Sequence, residues 1–271
     1  MSLPDLRVLV APDSFKGSAT SYEASSAIAS GWLRIRPGDT VQLTPMADGG
    51  EGTLDAFEAA YPGSLRMPVR VIGPAGDPVS AEWLSLADGR GVVELANTSG
   101  ITLLSELDPD VHTVGFGQAI AAALDFGVQG LILGIGGSCS TDGGTGALSA
   151  LGARFLNPEG CEIPAGNLGL DPLVVADFSA VRPLPHGGVA VITDVTSPLL
   201  GEEGAVAVFG AQKGISAADR SAYECRLAGL AEKITHASPD ISGAGAAGGT
   251  GFGLQPGGAA GSRREGGCPS S

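Results

Sequence analysis

Acidic residues recur at the points where predicted strands end. Asp13, Asp48, Asp142 and Asp194 each follow a short apolar run, and Glu51 follows Asp48 within a glycine-rich loop. Ligands of open α/β sheets bind outside the carboxyl ends of the strands, so residues from distant segments can meet there. The alternative for each carboxylate is a helix cap or turn former. Because four such positions recur, we favour one shared site.

The second chemical feature is the glycine-rich stretch between Leu131 and Leu151. An apolar strand runs into Gly134, Gly136 and Gly137, and Asp142-Gly143-Gly144 then precedes an Ala/Leu-rich helix. Glycines in such a strand–turn–helix unit let several backbone N–H groups converge on an anion. We predict a phosphate or carboxylate cradle with a metal-capable aspartate, Asp142, at its lip, against the alternative of a plain tight turn.

Lysines are rare, and two of the three lie in glycine-flanked loops. These are Lys16 in SFKGS and Lys213 in AQKGIS, whereas Lys233 lies beside Glu232 in a predicted helix. A flexible ammonium suits contact with phosphate as a point charge, and the alternative is a solvated surface side chain. We expect Lys16 and Lys213 to contact an anion and Lys233 to lie on the surface.

Several known motifs fail their tests. The P-loop pattern is absent, and the G-x-G-x-x-G match at Gly243, Gly245 and Gly248 follows no predicted strand. No G-x-S-x-G elbow supports a Ser-His-Asp hydrolase. The four cysteines and three histidines show no zinc spacing or disulfide framework.

Charge and composition exclude other classes. With a formal net charge of −14, the 271-residue chain lacks the basic tract that nucleic acids or anionic membranes would bind. We expect no nucleic-acid or membrane partner, and we predict a cytoplasmic protein with reduced thiols. Any phosphate site must be concentrated in a few loops that offset the acidic field.

Alternation of strands and helices predicts the domain organisation. Strands at 7–11 and 41–45 each precede a helix, one with capping-box spacing at Thr20 and Glu23 and one near 54–61, which is typical of a parallel α/β sheet. Antiparallel-type strands at 69–73, 79–86 and 92–96 then indicate a boundary near Met67. A loop at 97–100, helices near 117–126 and 217–235, a strand at 189–193 and a loop-rich passage at 155–188 follow.

Five sequence blocks together resemble the class I glycerate kinase family. They are APDSFKGS (11–18), PMADGGEGT (45–53), GIGGS with the downstream DGG (134–138 and 142–144), TDVTSPLLG with VFGAQKG (193–201 and 208–214), and GAGAAGG (243–249). They occur in order between about Arg7 and Leu254, and such long words are far more specific than one glycine fingerprint.

The resemblance implies two α/β domains, a second, mixed-sheet domain being inserted into a Rossmann-like first domain. Residues 1–66 would form the N-terminal half of the first domain, 67–240 the inserted domain and 241–254 a glycine-rich return segment. The implied reaction is ATP- and Mg²⁺-dependent phosphorylation of D-glycerate, to 2-phosphoglycerate. The oligomeric state stays open.

Our hypothesis for the site roles follows from what phosphoryl transfer requires, which is positioning of two substrates and neutralisation of charge. Asp48, Asp194 and Lys16 would be catalytic, and Asp48, Asp142 and Asp194 supply the candidate Mg²⁺ ligands, one aspartate accepting the glycerate hydroxyl proton. Substrate or phosphate contacts are expected from Ser14, Lys16, Gly49, Gly50, Gly136, Gly137, Ser138, Gly143, Gly144, Lys213, Gly245 and Gly248.

One departure from the family is large. We expect the resemblance to stop near Leu254, because family members continue with elements that complete the first domain, which would be incomplete here. Residues 255–271 are predicted to be disordered and resemble out-of-frame translation, which suggests a truncated product. The alternatives to an active kinase are therefore an inactive fragment, a small-anion or sugar-acid binding protein, or a small-molecule phosphatase.

Overall fold

The chain folds as a mixed α/β protein. The structure, a computed structural model, describes residues 4–15 and 18–255, so Lys16 and the predicted tail beyond Gln255 lie outside the described residues. The strands are β1 (Arg7–Val10), β2 (Thr40–Leu43), β3 (Leu65–Ile72), β4 (Pro78–Ser85), β5 (Arg90–Glu94), β6 (Gly130–Gly134), β7 (Arg154–Leu156), β8 (Val175–Asp177) and β9 (Val189–Ile192). The α-helices are α1 (Ser21–Ile35), α2 (Thr53–Ala60), α3 (Ala96–Ser99), α4 (Val114–Phe126), α5 (Thr145–Ala150), α6 (Ala205–Phe209), α7 (Arg220–Lys233) and α8 (Ala246–Gly253).

The N-terminal strands form their own small sheet. β1 and β2 pair in parallel, and α1 connects them. The predicted capping box is confirmed, because the Thr20 side chain accepts from the Glu23 amide and the Glu23 carboxylate accepts from the Thr20 amide. Asp39 ties this unit together: its carboxylate accepts from the Trp32 indole N–H and from Arg36. These contacts fix the end of α1 against the start of β2.

Five strands form the main sheet, in the order β3-β4-β5-β6-β9. β3, β4 and β5 pair antiparallel, whereas β5, β6 and β9 pair in parallel. The predicted α/β class with a mixed sheet is confirmed. Since β5, β6 and β9 run in one direction, their carboxyl ends meet at one edge of the sheet.

Alternation along the central strands places a helix on each face of this sheet. Leu131 and Leu133 of β6 pack with helix α4, while Ile132 between them packs with Leu54 of α2. On the α4 face Trp83 is 2% exposed and meets Phe126 edge-on, with ring centroids 5.4 Å apart. The central strands β5 and β6 are therefore covered on both sides, whereas Val191 of β9 is 40% exposed.

A further apolar cluster fills the space beyond α5. It joins α5, α6, α7 and α8 through residues such as Leu148, Leu227, Leu230 and Phe252, each at most 7% exposed. This cluster supports the glycine-rich loops from behind.

Local differences from the sequence predictions are small. Residues 97–100, predicted as a loop, mostly belong to the short helix α3, and the loop-rich passage 155–188 contains the β7–β8 pair. Gln255 was predicted to begin the tail, but its side chain exchanges two hydrogen bonds with the Ser238 backbone. The predicted boundaries at 66/67 and 240/241 stay predictions; α2, placed before the first boundary, buries Leu54 against the main sheet.

Within the described part of the chain, no helix combines the length and apolarity needed to cross a bilayer.

Candidate active site

Two loops meet at the carboxyl edge of the main sheet. The Gly136 amide donates to the Gly49 carbonyl over 2.8 Å, which joins the loop after β6 to the loop after β2. A Cβ at Gly49 would lie 2.3 Å from the Ile192 carbonyl oxygen at the end of β9, and Gly49 has φ +95°. Only glycine therefore fits there. The structure thus brings the Asp48–Gly50 loop against the ends of β6 and β9, as predicted.

The segment Gly136–Ser138, called the open loop below, presents backbone donors. Gly137 has φ +71°, and the amides of Gly137 and Ser138 donate to no acceptor within the described residues. Consecutive N–H groups around a left-handed glycine form a concave anion site. By contrast, the Gly136 and Gly50 amides, also predicted to bind phosphate, are engaged with Gly49 and with the Asp48 carboxylate.

Lys213 lies beneath the open loop. Its side chain is buried, and its Nζ donates to Ser138 Oγ (2.7 Å) and to the Ser140 carbonyl (2.6 Å). In the described residues no carboxylate lies within salt-bridge distance of this ammonium. Because Ser138 Oγ accepts from Lys213, its own hydrogen can point toward a ligand. Lys213 thus supports the predicted cradle from behind.

Burial sets the acid–base behaviour of this layer. It lowers the pKa of Lys213 to about 8, although neighbouring Cys139 and Asp142 act in the opposite direction. It raises the pKa of the Cys139 thiol to about 12, and this thiol donates to the Ser99 carbonyl. Cys139 is thus a neutral packing residue at neutral pH, and Lys213 carries its charge there at an energetic cost.

The segment Asp142–Gly144, called the buried loop below, forms hydrogen bonds with other parts of the protein. The Asp142 carboxylate, 0% exposed, accepts from the Thr113 amide, the Thr113 hydroxyl and the amides of Gly144 and Gly146. The Gly143 amide donates to the Gly248 carbonyl. We therefore remove Asp142 from the candidate metal ligands, and Gly143 and Gly144 from the phosphate contacts, because their groups already have protein partners.

The return segment packs against both loops. The Gly245 amide donates to the Ser197 carbonyl. A Cβ at Gly248 would lie 2.0 Å from the Ser140 carbonyl oxygen, the atom that Lys213 contacts. Gly245 and Gly248 are both buried. Both glycines pack closely against neighbouring backbone in this structure, and their contact with a ligand stays a prediction.

Asp48 and Asp194 remain as open carboxylates. Asp48 is half-buried and gives one oxygen to the Gly50 amide, while Asp194 is exposed two residues after β9. Among residues 4–15 and 18–255, no three His, Cys, Asp or Glu side chains cluster as a metal site. Mg²⁺ commonly takes one or two carboxylates and completes its shell with water and substrate phosphates. Two carboxylates at this edge fit that requirement.

A cleft of about 600 Å³ borders the site. Ser14 and Glu51 line it, together with Ile101 and Thr102 from the other side. Glu51 reaches the open loop, since a Cβ at Gly137 would lie 2.8 Å from its Oε1. Ser14 and Glu51 therefore line the same cleft, and the roles of Ser14 and Lys16 in binding stay predictions.

Glu94 is a site neighbour that sequence reasoning missed. It ends β5, is 5% exposed, and accepts from the Leu54 amide at the start of α2 over 3.1 Å. Burial raises its pKa to about 7, and the nearby charges of Asp55 and Glu51 add to this. Its position in the sequence could have identified it, because Glu94 is an acidic residue at the end of an apolar strand, as the other candidate carboxylates are.

An α/β protein with open backbone amides in a glycine-rich loop and two carboxylates at one sheet edge has the parts that phosphoryl transfer needs. The sequence profile of the glycerate kinase family matches residues 8–265. The chain belongs to the glycerate kinase family and is a kinase by that membership. The match runs past Leu254, where we expected the resemblance to end.

Individual relatives agree. Glycerate kinase of Bacillus subtilis strain 168 is 41% identical over 258 residues, covering 92% of this chain and 67% of that protein. Glycerate 2-kinase of Escherichia coli K12 is 40% identical, covering 92% and 68%. The crystal structure of a candidate glycerate kinase 2 from Salmonella typhimurium LT2 superposes with a TM-score of 0.82 at 37% identity, covering 93% of this chain and 69% of that one.

Proposed function

We propose that this chain transfers the γ-phosphoryl group of ATP to a hydroxyl of D-glycerate, giving ADP and 2-phosphoglycerate. Family membership and the E. coli relative named glycerate 2-kinase support the reaction. The observation that carries the proposal is the pair of open amides at Gly137 and Ser138 above the buried ammonium of Lys213. In a chain with net charge −14, this local positive site favours an anionic ligand.

The open loop would hold a phosphate or the glycerate carboxylate. The Gly137 and Ser138 amides and the Ser138 hydroxyl donate to its oxygens, and Lys213 adds charge from below. The Ser140 hydroxyl oxygen is buried without a partner in the described residues, which leaves one more polar group beside this layer. Fixed donors in a largely dry site stabilise developing charge better than water does.

Asp48 and Asp194 would share the remaining roles. One or both hold Mg²⁺, and one accepts the proton of the attacking glycerate hydroxyl. Bound Mg²⁺ would neutralise charge on the phosphate oxygens. Lys16, in the loop after Ser14, stays a predicted phosphate contact. A cytoplasmic location, where ATP is supplied, belongs to the same proposal.

A coupled assay tests this function. Purified protein with Mg²⁺ and ATP should release ADP only when D-glycerate is present, and ³¹P NMR of the product should show 2-phosphoglycerate. Glycerate-independent phosphate release would instead indicate a phosphatase. Saturable glycerate binding without turnover, by a protein that unfolds cooperatively, would indicate a binding protein or an inactive fragment and contradict the proposal.

A further inference from the structure

Glu94 connects the two halves of the site. Its backbone belongs to β5 and is in register with Gly134 of β6, just before the open loop. Its carboxylate reaches the other way, to the Leu54 amide in the first turn of α2. α2 begins directly after the loop that carries Asp48. Glu94 is thus the described side chain that ties the α2 start to the strand leading toward the site.

The first turn of α2 has no other side-chain cap. Gly52 occupies the cap position with φ +90°, and it has no side chain that could accept from the free amides of this turn. The Thr53 hydroxyl donates to the Gly50 carbonyl, which ties the turn further to the Asp48 loop. A carboxylate at a helix N-terminus satisfies these amides and interacts favourably with the helix dipole.

We infer that Glu94 is a positioning residue for the proposed phosphoryl transfer: by accepting from the start of α2, its carboxylate holds the loop that presents Asp48. This inference rests on the proposed function only for its effect on turnover. Its structural half, the immobilised loop, stands on the hydrogen bond and the burial of Glu94 alone.

The charges around Glu94 are mixed. Glu51 and Asp55 approach it from the loop and from α2. Arg66 and Arg70 from β3 and Glu82 from β4 line the same cleft of about 590 Å³, and Arg66 is already paired with Asp55, Glu58 and Glu82. Glu94 accordingly takes up a proton near neutral pH, which weakens its hold on the Leu54 amide.

Two substitutions distinguish loss of the hydrogen-bond acceptor from loss of the negative charge alone. Glu94→Ala removes the acceptor, and we expect faster hydrogen exchange at the Leu54 amide and a drop in kcat on the order of tenfold. Glu94→Gln keeps a neutral acceptor oxygen, as protonated Glu94 does, and should give protection and kcat between those of the wild type and of Glu94→Ala. Glu82→Gln is the matched control, because Glu82 lines the same cleft with a 48% exposed side chain.

The pH dependence supplies an independent readout. In the wild type, exchange protection of the Leu54 amide, corrected for intrinsic rates, should fall as pH is lowered through about 7, and Glu94→Gln should abolish this change. Wild-type protection in Glu94→Ala, or equal losses in the Gln and Ala variants, would overturn the inference. If Glu94→Ala does not fold, the comparison of wild type with Glu94→Gln across pH decides it. Hydrogen exchange is measured without substrate, so it tests the immobilised loop even if the protein does not phosphorylate glycerate.

Discussion

The open loop and the buried loop have similar compositions but different environments. Both are glycine-rich, and only four positions separate Ser138 from Gly143. In the open loop, the Gly137 and Ser138 amides face no protein acceptor; in the buried loop, the Gly143 and Gly144 amides donate to Gly248 and to Asp142. Glycine content therefore indicates where backbones approach closely. Whether the backbone amides there already have protein acceptors then distinguishes a packed loop from one that can bind a ligand.

The strongest test of this contrast removes the charge below the open loop. We expect Lys213→Met to lower kcat/KM on the order of 10²–10³-fold, because the anion loses its electrostatic support and Ser138 loses its donor. The fold should persist, since methionine fills a similar volume. Lys233→Met in α7 is the control and should retain activity. Equal activity in both variants would remove Lys213 from the site.

A second test contrasts the carboxylates of the two regions. Asp142→Asn should destabilise the protein by about 2–4 kcal/mol, measured by urea unfolding, because an amide cannot accept all four hydrogen bonds. Asp48→Asn and Asp194→Asn should leave the unfolding midpoint nearly unchanged and lower kcat by orders of magnitude. A stable Asp142→Asn protein with weakened Mg²⁺ dependence would return Asp142 to the metal site.

Packing behind the loops gives the third test. Gly248→Ala places a Cβ against the Ser140 carbonyl at a position with φ +63°, so we expect a loss of about 2–3 kcal/mol together with weaker anion binding. Gly229→Ala in α7 is the matched control, because its Cβ would meet nothing within 4 Å. Thermal unfolding and glycerate titration measure the two effects. If both variants have the same unfolding temperature and the same affinity for glycerate, Gly248 does not support the cradle.

The smallest expected effect is a dependence on pH. Lys213 has a pKa of about 8 in the folded protein against an ordinary 10.5, so KM for the anionic substrate should rise above pH 8 by up to about tenfold per unit. The unfolded chain holds this proton up to about pH 10.5, so the free energy of unfolding should increase between pH 8 and 10.5. Lys213→Met should lose both trends; their persistence would assign them to other groups.

Local signals made much of the fold predictable. The capping box of Thr20 and Glu23 and the change from helical to alternating periodicity near Met67 identified α1 and the strands of the main sheet. The β7–β8 pair escaped prediction, because three-residue strands have too few positions to show a period. Long-range pairing, such as that of β6 with β9, leaves no local trace.

The candidate site was predictable in position but not in detail. Strand-end carboxylates correctly located Asp48 beside the β6 and β9 ends. Composition could not separate Asp142 from Asp48, because the difference lies in partners from distant segments, chiefly Thr113. The sequence predicts that Lys213 contacts an anion, but it gives no sign that the ammonium is buried and donates to Ser138 Oγ and the Ser140 carbonyl.

The two tryptophans offer separate optical reporters for the two sheets. Trp32, 37% exposed beside Asp39, belongs to the unit of β1 and β2, whereas Trp83 is 2% exposed within the main sheet. Their intrinsic fluorescence should differ in emission maximum, the buried indole emitting further to the blue. Trp32→Phe and Trp83→Phe variants would then show by emission alone whether the small sheet melts together with the large one or before it.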